Sequence, residues 1–240
     1  MGGEYGAIYR RVTAFIAAMP LIAALPLAVQ LLQRGLIAAD LVLMSQAEAF
    51  RISMAVLNTL AMLIVSTFAM RWWRFGGDRA RVWRIGPRVV LGAVAMIVIQ
   101  LVDQYLFTRA GHLAADLAGG GRGLFVPIAL VMWLFVSVPL YPWYVALLSD
   151  DGSLGFRQAV AAVRPFWLRG FLLVFGAILP LILLGSVLRV AMITRFAAGG
   201  PVAWLLQIGQ MLLVPVLIVT TASAYFAIYR RVRPGNFSPD

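Results

Sequence analysis

Between Phe171 and Leu188 the chain reads FLLVFGAILPLILLGSVL, without one charged side chain. At 1.5 Å per residue a helix of that length is about 27 Å long, close to the roughly 30 Å of a bilayer's hydrocarbon. The same kind of run recurs. Predicted spans cover Val12–Leu32, Ile52–Met70, Val89–Phe107, Leu124–Leu148, Phe171–Val190 and Val202–Phe226. Each is long and continuously apolar rather than short and alternating, which predicts helices and not barrel strands. Composition agrees: 62% of residues are hydrophobic and 12% charged, with mean hydropathy +0.93. Soluble domains carry about 25% charged residues, and one soluble core could not hide this much apolar surface. The expected fold is an all-α polytopic membrane protein with six transmembrane helices in a single domain, 1–240. The first run has the basic start of a secretory signal, but five more follow, so it is read as a retained span.

Charge sets the orientation. All twenty basic residues are arginine, against nine acidic ones, for a net charge of +11. Six spans put fourteen of the arginines on the side of the two chain ends and six on the other. Basic residues concentrate in cytoplasmic connections, so both termini are expected in the cytoplasm. The same residues exclude much chemistry. Without cysteine there is no disulfide or thiolate metal site, and without lysine no Schiff base. His112 is the one histidine and has no ligand-type neighbour. HExxH, GxSxG and phosphate-loop patterns are absent. No catalytic residue, metal or cofactor is expected.

The densest basic stretch is RWWRFGGDRARVWRIGPR, Arg71 to Arg88. Guanidinium groups fork onto phosphate oxygens, and tryptophan favours the headgroup layer. Arg71, Trp72, Trp73, Arg74, Arg79, Arg81, Trp83, Arg84 and Arg88 are therefore expected to contact anionic lipid headgroups. The plainer alternative is that they fix topology and anchor a hairpin. Nucleic acid is not an expected partner, because the stretch is short and lies beside the membrane.

The fourth connection, SDDGSLGFRQAVAAVRPFWLRG, places Phe156, Ala159, Val160, Val163 and Trp167 at helical spacing. This predicts a short amphipathic helix on the cytoplasmic face, ahead of the fifth span, ended or bent by Pro165. Asp150 and Asp151 are expected just ahead of it, where negative charge suits a helix N-terminus.

Polar groups inside spans are functional candidates by default. Gln100, Asp103 and Gln104 share one helical face of the third span. Arg189, at the same depth in the fifth span, is a candidate partner for Asp103. With Asn58, Gln207 and Gln210, the three third-span residues make a candidate polar cavity in the outer half. Their plainer use is hydrogen bonding between helices. Seven prolines fall within spans, and the bends they cause either line a cavity or only shape packing.

Near the two ends the chain repeats AIYRRV, at Ala7–Val12 and Ala227–Val232. A duplicated unit of three helices would put the second copy before the fourth span, so both copies are read as anchors at the same membrane surface. In the first copy Tyr5, Ile8, Tyr9 and Val12 share a face, as in a helix lying along the interface.

From Tyr141 to Leu184 a span ends in YPWYVALLSDDGS, then the helix GFRQAVAAVRPFWLRG and an apolar span follow; further on, the last span closes in TASAYFAIYRR, Thr221 to Arg231. This resembles the bacterial six-helix inner-membrane proteins that include the membrane domain of some glycerophosphoryl diester phosphodiesterases. The resemblance sets Ala159, Ala162, Gly170 and Tyr225 or Tyr229 at that family's recurring positions. It implies a bacterial inner-membrane location and a fold without chemistry of its own, since the phosphodiesterase activity belongs to a separate soluble domain. The leading expectation is a non-enzymatic accessory or scaffold that contacts anionic lipid, with a membrane-protein partner or a homo-oligomer left open. The alternative is a small transporter or lipid-moving protein using bent helices and the outer polar cavity. A third reading, an intramembrane enzyme acting on lipid, has only Asp103 as acid or base.

Overall fold

The computed structural model describes residues 2–38, 47–99, 131–196 and 201–233. Every described element is helical. In chain order they are α1 (Gly2–Ala18), α2 (Pro20–Ala23), α3 (Leu25–Ala38), α4 (Ala47–Arg74), α5 (Arg79–Trp83), α6 (Pro87–Ile99), α7 (Val131–Leu148, with one 3-10 turn at Val138–Leu140), α8 (Phe156–Val163), α9 (Trp167–Phe196) and α10 (Pro201–Val232). Four stretches are long and apolar enough to cross a membrane: Ala49–Arg74, Val131–Leu148, Phe156–Met192 and Trp204–Val232.

The first predicted span is not one helix. Pro20 has no N–H and cannot continue the ladder of α1, and Met19 leaves helical geometry at φ −134° and ψ 56°. The helix instead begins far ahead of the predicted start, at Gly2, and the chain resumes as α3. The third predicted span begins as α6, and its remainder lies outside the described residues. Pro180 and Pro215 lie inside α9 and α10 without ending them. Several hydroxyls in α9 and α10 return their hydrogen bonds to the preceding turn, as from Ser186 to the Ile182 carbonyl (2.9 Å) and from Thr221 to that of Leu217 (2.8 Å). That keeps them satisfied where no water is present.

The core is lopsided. Buried residues gather where α4, α7, α9 and α10 approach their arginine-bearing ends: Val65, Phe68, Met70, Val145, Leu148, Leu173, Val174, Phe226, Ile228 and Tyr229. Toward the opposite ends, Ile52, Leu57, Leu183, Val187, Val190, Trp204 and Leu205 are exposed. So large an apolar surface is unsuited to water but is the ordinary outer surface of a bundle in lipid.

The helices that carry the two AIYRRV copies, α1 and α10, pack side by side and antiparallel. Glu4, just ahead of the first copy, pairs with Arg231 of the second, and with Arg169 of α9 at 3.5 Å. Ser223 donates to the Ile8 carbonyl at 3.2 Å. The face of Tyr5, Ile8, Tyr9 and Val12 packs on protein. Ile8 and Val12 are buried, and Tyr5 and Tyr9 donate to the carbonyls of Leu172 (2.9 Å) and Ala177 (2.8 Å) in α9. Gly176 makes the approach of Tyr5 feasible, since a Cβ there would fall 2.3 Å from its hydroxyl.

Candidate lipid-contact surface and the carboxylate beneath it

The basic stretch folds as a helix end, a turn and a short second helix. Gly76 and Gly77 take φ of +57° and +82°, the left-handed region that side chains disfavour. The Gly77 N–H returns to the Trp72 carbonyl at 3.0 Å, ending α4. Asp78 then caps α5, its Oδ1 accepting from the N–H groups of Ala80 (3.0 Å) and Arg81 (3.4 Å). An apolar-aromatic α4 end followed by Gly-Gly-Asp dictates this shape locally.

Arg71 locks the hairpin. It is 1% exposed, and its guanidinium donates to the carbonyls of Arg81 (2.6 Å), Val82 (2.8 Å) and Arg84 (2.6 Å). These lie at and just past the end of α5, where carbonyls are short of helical partners. Arg71 also sits over the Phe75 ring at 5.1 Å. Arg74 turns the other way, donating to the Ser149 carbonyl at 2.9 Å and approaching Asp151 at 3.8 Å. Trp73 packs between Phe15 and Phe226 and donates to the Arg11 carbonyl at 3.3 Å. Trp72 lies against Gly77.

The predicted contact set therefore divides. Arg71, Trp72, Trp73 and Arg74 are engaged in holding the fold. Arg79, Arg81, Trp83, Arg84 and Arg88 are exposed around α5 and the start of α6. Arg81 pairs with Asp78 at 3.3 Å on the surface, a contact worth little in water. Arg157, Arg164 and Arg169 are exposed on the neighbouring α8–α9 junction. There α8 meets α9 through one 3-10 turn at Arg164–Phe166, which is how Pro165 acts. The junction borders a groove of about 690 Å³ lined by Phe135, Arg164, Phe166, Trp167, Leu168 and Arg169, among others. Trp167 stacks on Phe135 (5.5 Å) and donates to its carbonyl (2.6 Å).

Beneath this surface lies a carboxylate that sequence reasoning placed elsewhere. The expectation for Asp150 and Asp151 is corrected: α8 starts at Phe156 behind Gly155, and the two aspartates close α7. Asp150 takes φ 65°, the Asp150 N–H returns to the Leu147 carbonyl (3.2 Å), and that of Asp151 to Ala146 (2.7 Å). This is a Schellman ending with aspartate where glycine is usual. It turns the Asp151 side chain inward, to 7% exposure. Its oxygens accept from the Ser153 N–H (3.0 Å), the Ser153 hydroxyl (2.5 Å) and the Tyr229 hydroxyl (2.5 Å), with Arg74 adjacent. Arg233 donates to the Ser153 carbonyl. One carboxylate thus joins the ends of α4, α7 and α10. Burial pushes its pKa up, but the hydrogen bonds from Ser153 and Tyr229 and the charge of Arg74 outweigh that and hold it below the usual carboxylate value. An ionised group with its lone pairs occupied is a structural clamp, not a proton donor. The SDDGS sequence marks a helix end, and the paired Ser and Asp are the only local hint of the clamp.

Of the predicted intramembrane residues, Gln100, Asp103 and Gln104 lie outside the described residues, and with them the predicted Asp103–Arg189 pair. Arg189 is exposed on α9. Asn58 does line a cavity, of about 520 Å³, but its polar companions there are Gln30, Gln33 and Arg34 of α3. Gln207 and Gln210 lie on α10, both partly buried. Among the described residues no cluster of His, Asp and Glu is suited to a metal ion. No protein-family model, curated protein or solved structure matches this chain.

Proposed function

We propose that this is an integral protein of the bacterial inner membrane that holds anionic lipid at its cytoplasmic face, as an accessory or scaffold without catalysis of its own. The observation that carries the reading is the division within one basic stretch. Arg71 and Arg74 face inward and fix the hairpin, while Arg79, Arg81 and Arg84 face outward around exposed Trp83, and Arg88, exposed along its length, rests its guanidinium against Gly152. Guanidinium groups on a preorganised support lose little freedom when phosphates arrive. Trp83, 55% exposed, supplies the amphipathic ring favoured at headgroup depth. The α8–α9 groove, with Arg164 and Arg169 beside aromatic rings, extends the same kind of surface. The resemblance to the six-helix membrane family, carried here as part of the proposal, implies a membrane unit with no chemistry of its own and supports this reading.

Native mass spectrometry of the full chain in neutral detergent tests it, with phosphatidylglycerol and phosphatidylcholine offered together. The expected result is preferential retention of several phosphatidylglycerol molecules per chain, their number falling several-fold when Arg79, Arg81, Arg84 and Arg88 are all changed to Gln. Equal retention of the two lipids, or no change in that variant, refutes the reading.

A further inference from the structure

A cavity lies far from the basic surface. The cavity between α3, α4 and α10 is lined by Gln30, Gln33, Arg34, Ile37, Asn58, Met62 and Val214. At about 1.5 Å per residue, Asn58 lies roughly 24 Å along α4 from Arg74, and Val214 roughly 22 Å along α10 from Tyr229. Two helices thus independently place the cavity in the half of the bundle opposite the arginine-rich end. Lone polar side chains in a span usually pair between helices or reach for the interface. Here one guanidinium and three amides from two helices converge on one space instead.

The composition of the lining selects the ligand. Among the described lining residues Arg34 is the one charged group, and none is acidic. The site therefore offers a single positive charge, with amide donors and acceptors around it. Ile37, Met62 and Val214 form an apolar wall, and Ile37 is 54% exposed, so the cavity opens on the outer surface of the bundle. Further along α10, Gln207 and Gln210 share the face that carries Val214. A volume of about 520 Å³ is within the range of small-ligand sites, roughly 300–1,000 Å³.

We infer that this cavity binds the headgroup of one phospholipid carrying a single phosphodiester anion, its phosphate on Arg34, its headgroup hydroxyls on the amides and its acyl chains leaving past Ile37. The inference rests on different residues from the basic-face proposal and stands or falls separately.

Native mass spectrometry of the full chain with dioleoyl phosphatidylglycerol provides the test. Wild type should keep one tight adduct that survives Arg79, Arg81, Arg84 and Arg88→Gln. That adduct should weaken about tenfold or more in Arg34→Gln, the effect of losing a hydrogen bond to a charged group. Val214→Trp, which fills the cavity and leaves Arg34 in place, should weaken it as well. If Arg34→Gln does not fold, Val214→Trp and Asn58→Leu carry the test. Unchanged affinity in the cavity variants overturns the inference. So does loss of the adduct in the four-arginine variant, or equally tight binding of dioleoyl phosphatidylcholine. Displacement by inorganic phosphate would assign the site to the free anion and overturn the lipid source.

Discussion

Asp151 shows how one residue gathers the energetics of this protein. Its carboxylate is buried, ionised and hydrogen-bonded to Tyr229 and Ser153. A hydrogen bond to a charged group contributes about 1.5–3 kcal/mol. Tyr229→Phe should therefore lower stability by about 2 kcal/mol, read from thermal unfolding of the purified chain. Asp151→Asn should cost a similar amount, and the double variant less than the sum, because the two share one bond. The folded pKa of Asp151 is depressed, so its stabilisation is present above the unfolded carboxylate pKa of about 4 and is lost as pH falls through the lower folded value. The wild-type Tm should fall more steeply below about pH 4 than that of Asp151→Asn. Parallel curves would show that Asp151 is not the titrating clamp. Beyond the Ser and Asp of SDDGS, none of this was legible in the sequence. Asp151 is adjacent to a charged neighbour and far from Arg74 and Tyr229 along the chain, and its burial exists only once three helix ends meet.

At the scale of elements, local rules read well wherever a residue's backbone chemistry decides the outcome. Gly76 and Gly77 end α4, Asp78 starts α5, and Pro165 breaks α8 from α9. Pro20 breaks the first apolar run for the same reason, although hydrophobicity alone makes Val12–Leu32 look continuous. The arginines of Arg71–Arg88 were legible as a basic stretch but not as two populations. Whether a guanidinium points to a carbonyl or to lipid depends on the turn that folds beneath it. Arg71→Gln removes donors from three carbonyls and should cost about 3 kcal/mol, since it also empties a buried position. Gly77→Ala should cost about 1 kcal/mol or more, because its φ is +82° and the new methyl would press on Trp72. Both should speed protease cleavage between Asp78 and Arg88. Unchanged cleavage in both would mean that the hairpin does not depend on this lock.

For the whole molecule, the asymmetry of packing matters most. The helices close into a protein core at the arginine-rich end and present apolar side chains at the other. The sequence revealed the apolar runs and the charge bias, because both are properties of composition along the chain. It did not reveal the α3–α4–α10 cavity, because Gln30, Gln33 and Arg34 look like the polar end of a span until Asn58 is set against them. The proposal rests on α5 and α8 both lying on the cytoplasmic face. The chain has no cysteine, so single introduced cysteines report without background. Arg81→Cys and Arg157→Cys, treated with a membrane-impermeant maleimide, test the claim directly. Both should resist labelling in intact cells and react after permeabilisation. Labelling of either one in intact cells would contradict the account.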